Sequence, residues 1–265
     1  MNLILMTGLM ISASLFPLNL SRALDIAVEW QGQNDSGQAH DQITKSVAIA
    51  RGAKVSVRGL NGPLTIETWE GETADIDITI TASDAAALAR NPLLVEETGG
   101  GLTIRTEDKR ERGESGRDRG WVRHRARLRL PRSVSLDVSG INGRVQVAEI
   151  AGTIGISGIN GAVEVAEAGS ATQLNGINGR VSVSLTKIGA EGLNVNGING
   201  AVELGFQVTI NANLDVHGIN GSVNSDFPVV VLGEVKRGEL RGTLGAGGPT
   251  IVVKGINGSV QLRRK

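Results

Sequence analysis

The chain has no cysteine and no tyrosine, only three tryptophans and three phenylalanines among 265 residues, and no excess of either charge. Without cysteine there is no disulfide, thiolate metal site, cysteine nucleophile or lipid-modified cysteine, so stability must come from packing and backbone pairing. Scarce aromatics leave few of the platforms on which sugars and bases stack. Lys plus Arg equals Asp plus Glu at 27 each, so no global field attracts nucleic acid or anionic lipid, and nucleic acid is not an expected partner. Beyond the first 23 residues no segment approaches the roughly 18 consecutive apolar residues of a spanning helix.

What the chain does have is glycine, 37 of them, with abundant valine and isoleucine, a mixture that disfavours helix and favours strand. Residues 1–23, "MNLILMTGLMISASLFPLNLSRA", combine an apolar run with Ser21 and Ala23 at a cleavage-like position and read as a secretory signal peptide. The positive charge usual before such a run is missing, which leaves an uncleaved anchor open. Residues 24–50 form a strand-like lead-in followed by a polar loop, "QGQNDSGQAHD". Residues 51–132 form a β region in which Val55, Val57, Leu64 and Ile66, then Ile76, Ile78 and Ile80, fall at period two. "SDAAALARN" predicts one short helix capped by Ser83, and "EDKRERGESGRDRG" at 107–120 predicts a solvated charged loop.

From 133 to 265 one tetrapeptide recurs. "GING" begins at Gly140, Gly158, Gly176, Gly197, Gly218 and Gly255, with spacings of 18, 18, 21, 21 and 37 residues. "GLNG" at 59–62 is a variant, and "ELRGTL" at 239–244 reads as a degenerate copy, with Leu240, Gly242 and Leu244 in the matching slots. Fixed periods near 20 residues mark a solenoid or array. Aligned copies give columns. Leu136, Ile154, Thr172, Leu193, Leu214 and Ile251 precede the motif, with Val138, Ile156, Leu174, Val195, Val216 and Val253 two residues later. Ile141, Ile159, Ile177, Ile198, Ile219 and Ile256 lie inside it, and Val145, Val163, Val181, Val202, Val223 and Val260 follow. These columns read as core.

Two architectures compete. If Asn142-Gly143 made a two-residue hairpin turn, Ile141 would lie on the polar face in every copy. In a parallel β-helix, or solenoid, the motif turns a corner and Ile141, Val145 and Val147 point inward together, which is the favoured reading. The corner residues are then Gly140, Asn142, Gly143; Gly158, Asn160, Gly161; Gly176, Asn178, Gly179; Gly197, Asn199, Gly200; Gly218, Asn220, Gly221; and Gly255, Asn257, Gly258. Asparagine suits left-handed or turn backbone and can hydrogen-bond along a stack. Outward columns alternate charged with neutral residues: Arg144, Ala162, Arg180, Ala201, and Gln146, Glu164, Ser182, Glu203. The stack ends need caps, one from the N-terminal strands and helix, the other from the cations of "QLRRK".

The "GINGxVxV" columns, the preceding "ARGAKVSVRGLNGPLTIETWEG" and the return strand "RARLRLPRSVSLDVSG" resemble a bacterial family of unknown function, the "putative adhesin" domains, related to the head GIN domain of autotransporter adhesins. The resemblance covers roughly residues 50–265. It implies a right-handed parallel β-helix in an exported bacterial protein, and it brings no catalytic residue.

No catalytic, cofactor or metal residues are expected. Glu164 and Glu203 are two coils apart, roughly 10 Å, too far for a carboxylate pair. His217, near Asp215 and Ser222, occupies a hydrophilic column with Ser139, Ser157, Asn175, Asn196 and Lys254. His40 and His124 read as loop residues, and three scattered histidines without cysteine do not make a zinc site. The turns lack the aspartate of calcium-binding β-rolls, and "GAGGPT" lacks the lysine of a phosphate loop. Asn220 and Asn257 sit in sequons but are corner residues first.

The leading expectation is a non-enzymatic exported β-solenoid, adhesin-like or an envelope scaffold, periplasmic or surface-exposed. Its partner would be a protein or envelope component, and a solenoid end offers a route to self-association. The alternatives are a carbohydrate-active β-helix enzyme, favoured if acids of neighbouring coils meet in a groove, and a periplasmic accessory protein of an envelope sensor.

Overall fold

The computed structural model describes residues 37–107, 120–207, 210–233 and 238–265. The apolar leader and most of the charged loop lie outside them. The period-two alternation becomes strand almost everywhere. In the N-terminal part these are β1 (Ala39–Ala48), β2 (Lys54–Arg58), β3 (Leu64–Trp69) and β4 (Thr73–Ala82), helix α1 (Ala85–Arg90), then β5 (Leu93–Thr98), β6 (Gly101–Thr106) and β7 (Val122–Pro131). The repeats supply β8 (Ser135–Ser139), β9 (Val145–Asn160), β10 (Val163–Asn178), β11 (Val181–Leu185), β12 (Leu193–Asn199) and β13 (Val202–Phe206). The chain closes with β14 (Ala212–Asn220), β15 (Val223–Ser225), β16 (Val229–Val231), β17 (Leu240–Leu244), β18 (Thr250–Asn257) and β19 (Val260–Arg264). Nineteen strands join one hydrogen-bonded sheet, and the chain is all-β apart from one short helix among the described residues.

Pairing is mostly parallel and runs in two ladders. Before the motif, β6, β2, β8, the second half of β9, β10, β12, β18 and β14 lie side by side. After it, β7, β3, the first half of β9, β10, β11, β13, β19 and β15 do the same. Each repeat meets the next in register: Val145 pairs with Val163, Val163 with Val181, and Val181 with Val202. The strands flanking Asn142-Gly143 form no antiparallel pair across it, since β8 runs parallel to the second half of β9, so the dipeptide is no hairpin turn. Among the described residues antiparallel pairs occur only toward the two ends, where β1 joins β4, β4 joins β7, β5 joins β6, and β17 joins β14 and β16.

Ladder order departs from chain order at both ends. β18, the last "GING" strand, lies between β12 and β14. β19 likewise lies between β13 and β15. Gln261 and Leu262 of "QLRRK" are therefore paired on both sides, and Arg263 and Arg264 pair with β13, so the segment is an inner strand and not the terminal cap of the stack. "ELRGTL" is no parallel copy either: β17 runs antiparallel to β14 and forms the outer closure with β16. Its alternation suits either strand direction, and the strand next to β14 on the inner side is already β18. At the other end β2 lies between β6 and β8, although β6 follows it in the chain.

The core is one continuous cluster running the length of both ladders. Three local expectations change. The helix is capped by Asp84, whose Oδ1 accepts the Ala87 N–H at 2.7 Å, while Ser83 Oγ donates to Asp84 Oδ2. The bond from Ala87, then that from Ser83, holds the Asp84 carboxyl below its usual pKa. Thr172 points outward because a register shift sets Ala171, fully buried, opposite Ile154. His40 lies in β1, which also takes the end of the supposed polar loop, and His124 lies buried in β7.

Candidate functional site

The motif places each of its four residues for a separate reason. Its first glycine has left-handed backbone, with φ of 63° at Gly140 and 60° at Gly176, where a side chain would be strained. The isoleucine turns inward: Ile141, Ile159, Ile177, Ile198 and Ile256 are buried, as is Ile219. The following valines Val145, Val163, Val181, Val202 and Val260 are buried too, whereas Val223, near the outer end, is half-buried. The last glycine touches backbone of the adjacent repeat. A Cβ at Gly161 would fall on the Gly143 carbonyl, one at Gly179 on Gly161, and one at Gly200 on Gly179.

The asparagine faces out and bonds along the stack. Asn142 donates its side-chain amide to Asn61 Oδ1 at 2.9 Å, Asn160 to Asn142 at 2.9 Å, and Asn178 to Asn160 at 3.2 Å. Asn199 donates to Asn178 at 3.1 Å, Asn257 to Asn199 at 3.1 Å, and Asn220 to Asn257 at 3.2 Å. All bonds point the same way, and Asn61 passes the direction on by donating to the Val122 carbonyl at 2.6 Å. No non-glycine residue among those described has positive φ. The asparagines are selected for the ladder, not for left-handed backbone. Flanking glycines leave them exposed along one face of the stack.

The ladder ends against His124. Its Nδ1 accepts the Asn61 N–H at 3.0 Å and its backbone N–H donates to the Asn61 carbonyl at 2.7 Å, while buried Nε2 has no partner among the described residues. Burial lowers its pKa to about 4, so the ring is neutral near pH 7.

A second feature lies along the far end of the β3 and β9 strands. Two adjoining shallow grooves, about 450 Å³ and 500 Å³, share Arg132 and Glu149. Trp69 and Glu70 line the first, Glu167 and Lys187 the second. Glu149 and Glu167 are register partners on neighbouring repeats, a like-charge adjacency that costs stability unless compensated. Arg132 pairs with Glu149 and, at 3.4 Å, with Glu70, and Gln207 donates to Glu167. A register shift beside Glu167 turns the strand here. Trp69 donates Nε1–H to the Thr73 carbonyl. The Arg129 guanidinium lies 4.4 Å from its ring centroid, and Gly71 packs so closely that a Cβ would enter the ring. The ring is therefore not a free stacking face.

The other candidates do not converge. Glu164 and Glu203 are separated by Ser182 in the ladder. His217 Nε2 lies 2.6 Å from Asp215, which also accepts from Arg241 Nε at 3.3 Å. Ser222 Oγ accepts from Asn224 at 3.3 Å rather than joining His217. Among the described residues no three His, Asp or Glu side chains form a metal cluster, and no helix is long and apolar enough to cross a membrane.

No family model matches the chain, and no curated protein matches it. Among solved structures, a "putative cell adhesion protein" from Clostridium sporogenes aligns over 84% of this chain and 100% of its own, at 13% identity and a TM-score of 0.42. A "putative adhesin" from Parabacteroides distasonis aligns over 84% and 97% at 12% identity and 0.33, and one from Bacteroides fragilis over 83% and 96% at 11% identity and 0.30.

Proposed function

We propose that the chain is an exported, non-enzymatic, right-handed β-solenoid with coils of 18–21 residues, acting as an adhesin-like or cell-envelope scaffold. Residues 1–23 are its export signal, 24–50 a lead-in, 51–132 the capping region and 133–265 the repeat body. The outward asparagine ladder carries the reading. It fixes a row of exposed side chains before any partner arrives, so little ordering entropy remains to oppose association. The hydrogen bonds run along the stack and leave each amide a further donor and acceptor for contacts outside.

Two measurements test this. Protease digestion of a tagged copy on intact cells and on cells with a permeabilised outer envelope separates a surface position from a periplasmic one, and protection in both, as for protein retained inside the cell, overturns the proposal. Co-sedimentation of the purified chain with envelope fragments should be lost when Arg144 and Arg180, both on the outward side of the corners, become glutamate. Absence of co-sedimentation by the unaltered chain contradicts a scaffold role.

One observation favours the carbohydrate-active alternative: Glu149 and Glu167 come from neighbouring repeats and border a shared groove. Both are engaged, by Arg132 and Gln207. Reducing-end release from a panel of soluble polysaccharides, abolished by Glu149→Gln or Glu167→Gln, would establish that reading in place of the scaffold.

A further inference from the structure

Edge strands are where a sheet can accept another chain, and proteins usually guard them with charge or brevity. Among the described residues four strands pair on one side only: β1, β5, β15 and β16. Three are guarded by polar side chains. β5 ends in exposed Glu96 and Glu97, paired with Arg105 and Lys45; β1 carries His40, Asp41 and Lys45; β15, as short as β16, holds Asn224 and Ser225. β16 reads Val-Val-Val and continues into Leu232. Of the four large apolar side chains exposed among the described residues, three are Val230, Val231 and Leu232, with 62%, 42% and 59% of their surface open.

The backbone of this edge is also open. Leu232 N–H donates inward to the Arg241 carbonyl at 2.9 Å, and Val230 lies opposite Thr243. Antiparallel pairs alternate, so Val230 and Leu232 turn their backbone groups toward β17, and Val229 and Val231 turn theirs outward. Among the described residues, exposed apolar side chains and an unpaired backbone edge thus coincide on one strand.

We propose that β16 pairs antiparallel with β16 of a second copy, closing a two-fold dimer at this end of the stack. The charge pattern selects the occupant. A head-to-tail contact would set the apolar β16 edge against the glutamates of β5 at the opposite end of the same ladder, which disfavours open growth. Self-pairing sets valine against valine, and a two-fold axis makes the strands antiparallel without further adjustment. With the axis at Val230, Val229 and Val231 of each copy exchange backbone hydrogen bonds with Val231 and Val229 of the other, and the two Val230 residues face each other as a non-hydrogen-bonded pair. Their Cα atoms then lie about 4.5 Å apart.

The absence of cysteine makes the test specific. A Val230→Cys chain carries a single thiol, and two Cα atoms about 4.5 Å apart are within disulfide range. Sedimentation should give twice the chain mass for the unaltered protein and for Val230→Cys, with complete conversion to covalent dimer on mild oxidation. Val230→Lys should halve the mass while far-UV circular dichroism stays unchanged and the melting temperature no longer depends on chain concentration. A monomer at the highest soluble concentration overturns the proposal. So does a dimer that Val230→Lys leaves intact, or a mass that grows beyond two.

Discussion

Asn257 donates its side-chain amide to Asn199 across 3.1 Å, although 58 residues of chain separate them. Asn220, which falls between them in the chain, stands on the far side and donates to Asn257 in turn. The last repeat is thus held between two earlier ones, and among the described residues β18 is the only ladder link between β12 and β14.

Deleting residues 250–265 should therefore cost more than one terminal strand. It removes the partner of β12 and β14 together with that of β13 and β15. The expected result in urea denaturation is a lower midpoint and a smaller slope, because less surface is buried in a single cooperative unit. An unchanged curve would mean that β14 rests directly on β12 without them.

Ile177 is buried at mid-ladder, and Ile177→Asp places an unpaired carboxylate there. Cooperative folding should be abolished, whereas the outward Arg144→Ser should shift stability by less than about 0.5 kcal/mol. Chemical denaturation of both variants checks the pair, and a stable Ile177→Asp chain would contradict the inward assignment.

Gly179→Ala should destabilise by about 1–3 kcal/mol, since a Cβ there lands on the Gly161 carbonyl, a backbone atom that cannot rotate away. Gly155→Ala is the contrast. Its Cβ meets only the side chains of Gln173 and Thr172 at ordinary contact distance, so its melting temperature should stay within a few degrees. Equal losses would remove the close-approach explanation.

His124 makes stability depend on acid. Its folded pKa is lowered to about 4 from 6.5 by burial, so between those values the unfolded chain binds the proton and the folded chain does not. Stability is full above pH 6.5 and falls on acidification toward pH 4, by up to roughly 3 kcal/mol. In His124→Asn, which keeps an acceptor for the Asn61 N–H, that slope should flatten. An unaltered pH profile would show that other groups cause it.

Legibility followed the reach of the signal. Ile141, Val145 and Val147 were readable as one inward face because parity is a local property of a strand. Repeat order was not, because Gly218 and Gly255 head nearly identical corners, and either suits the neighbour of Gly197. The direction of β17 was hidden for a related reason: Leu240, Gly242 and Leu244 alternate identically read either way. Thr172 was misplaced by a register shift that no column alignment contains. The Glu149 and Glu167 adjacency was missed because the aligned columns stopped close to the motif. His124 carried a usable signal, since it shares parity with Ala126, Leu128 and Leu130, all buried in β7.

The most direct test of the stacking is disulfide formation between paired cysteines introduced into this cysteine-free chain. Asn196 and Lys254 are register partners, and Lys254 separates Asn196 from His217. Adjacent strands about 4.8 Å apart permit a disulfide, and strands two steps apart, roughly 10 Å, do not. The Asn196→Cys, Lys254→Cys chain should cross-link rapidly within the monomer, and the Asn196→Cys, His217→Cys chain should not. The reverse outcome would show repeats stacked in chain order and contradict the enclosed last repeat.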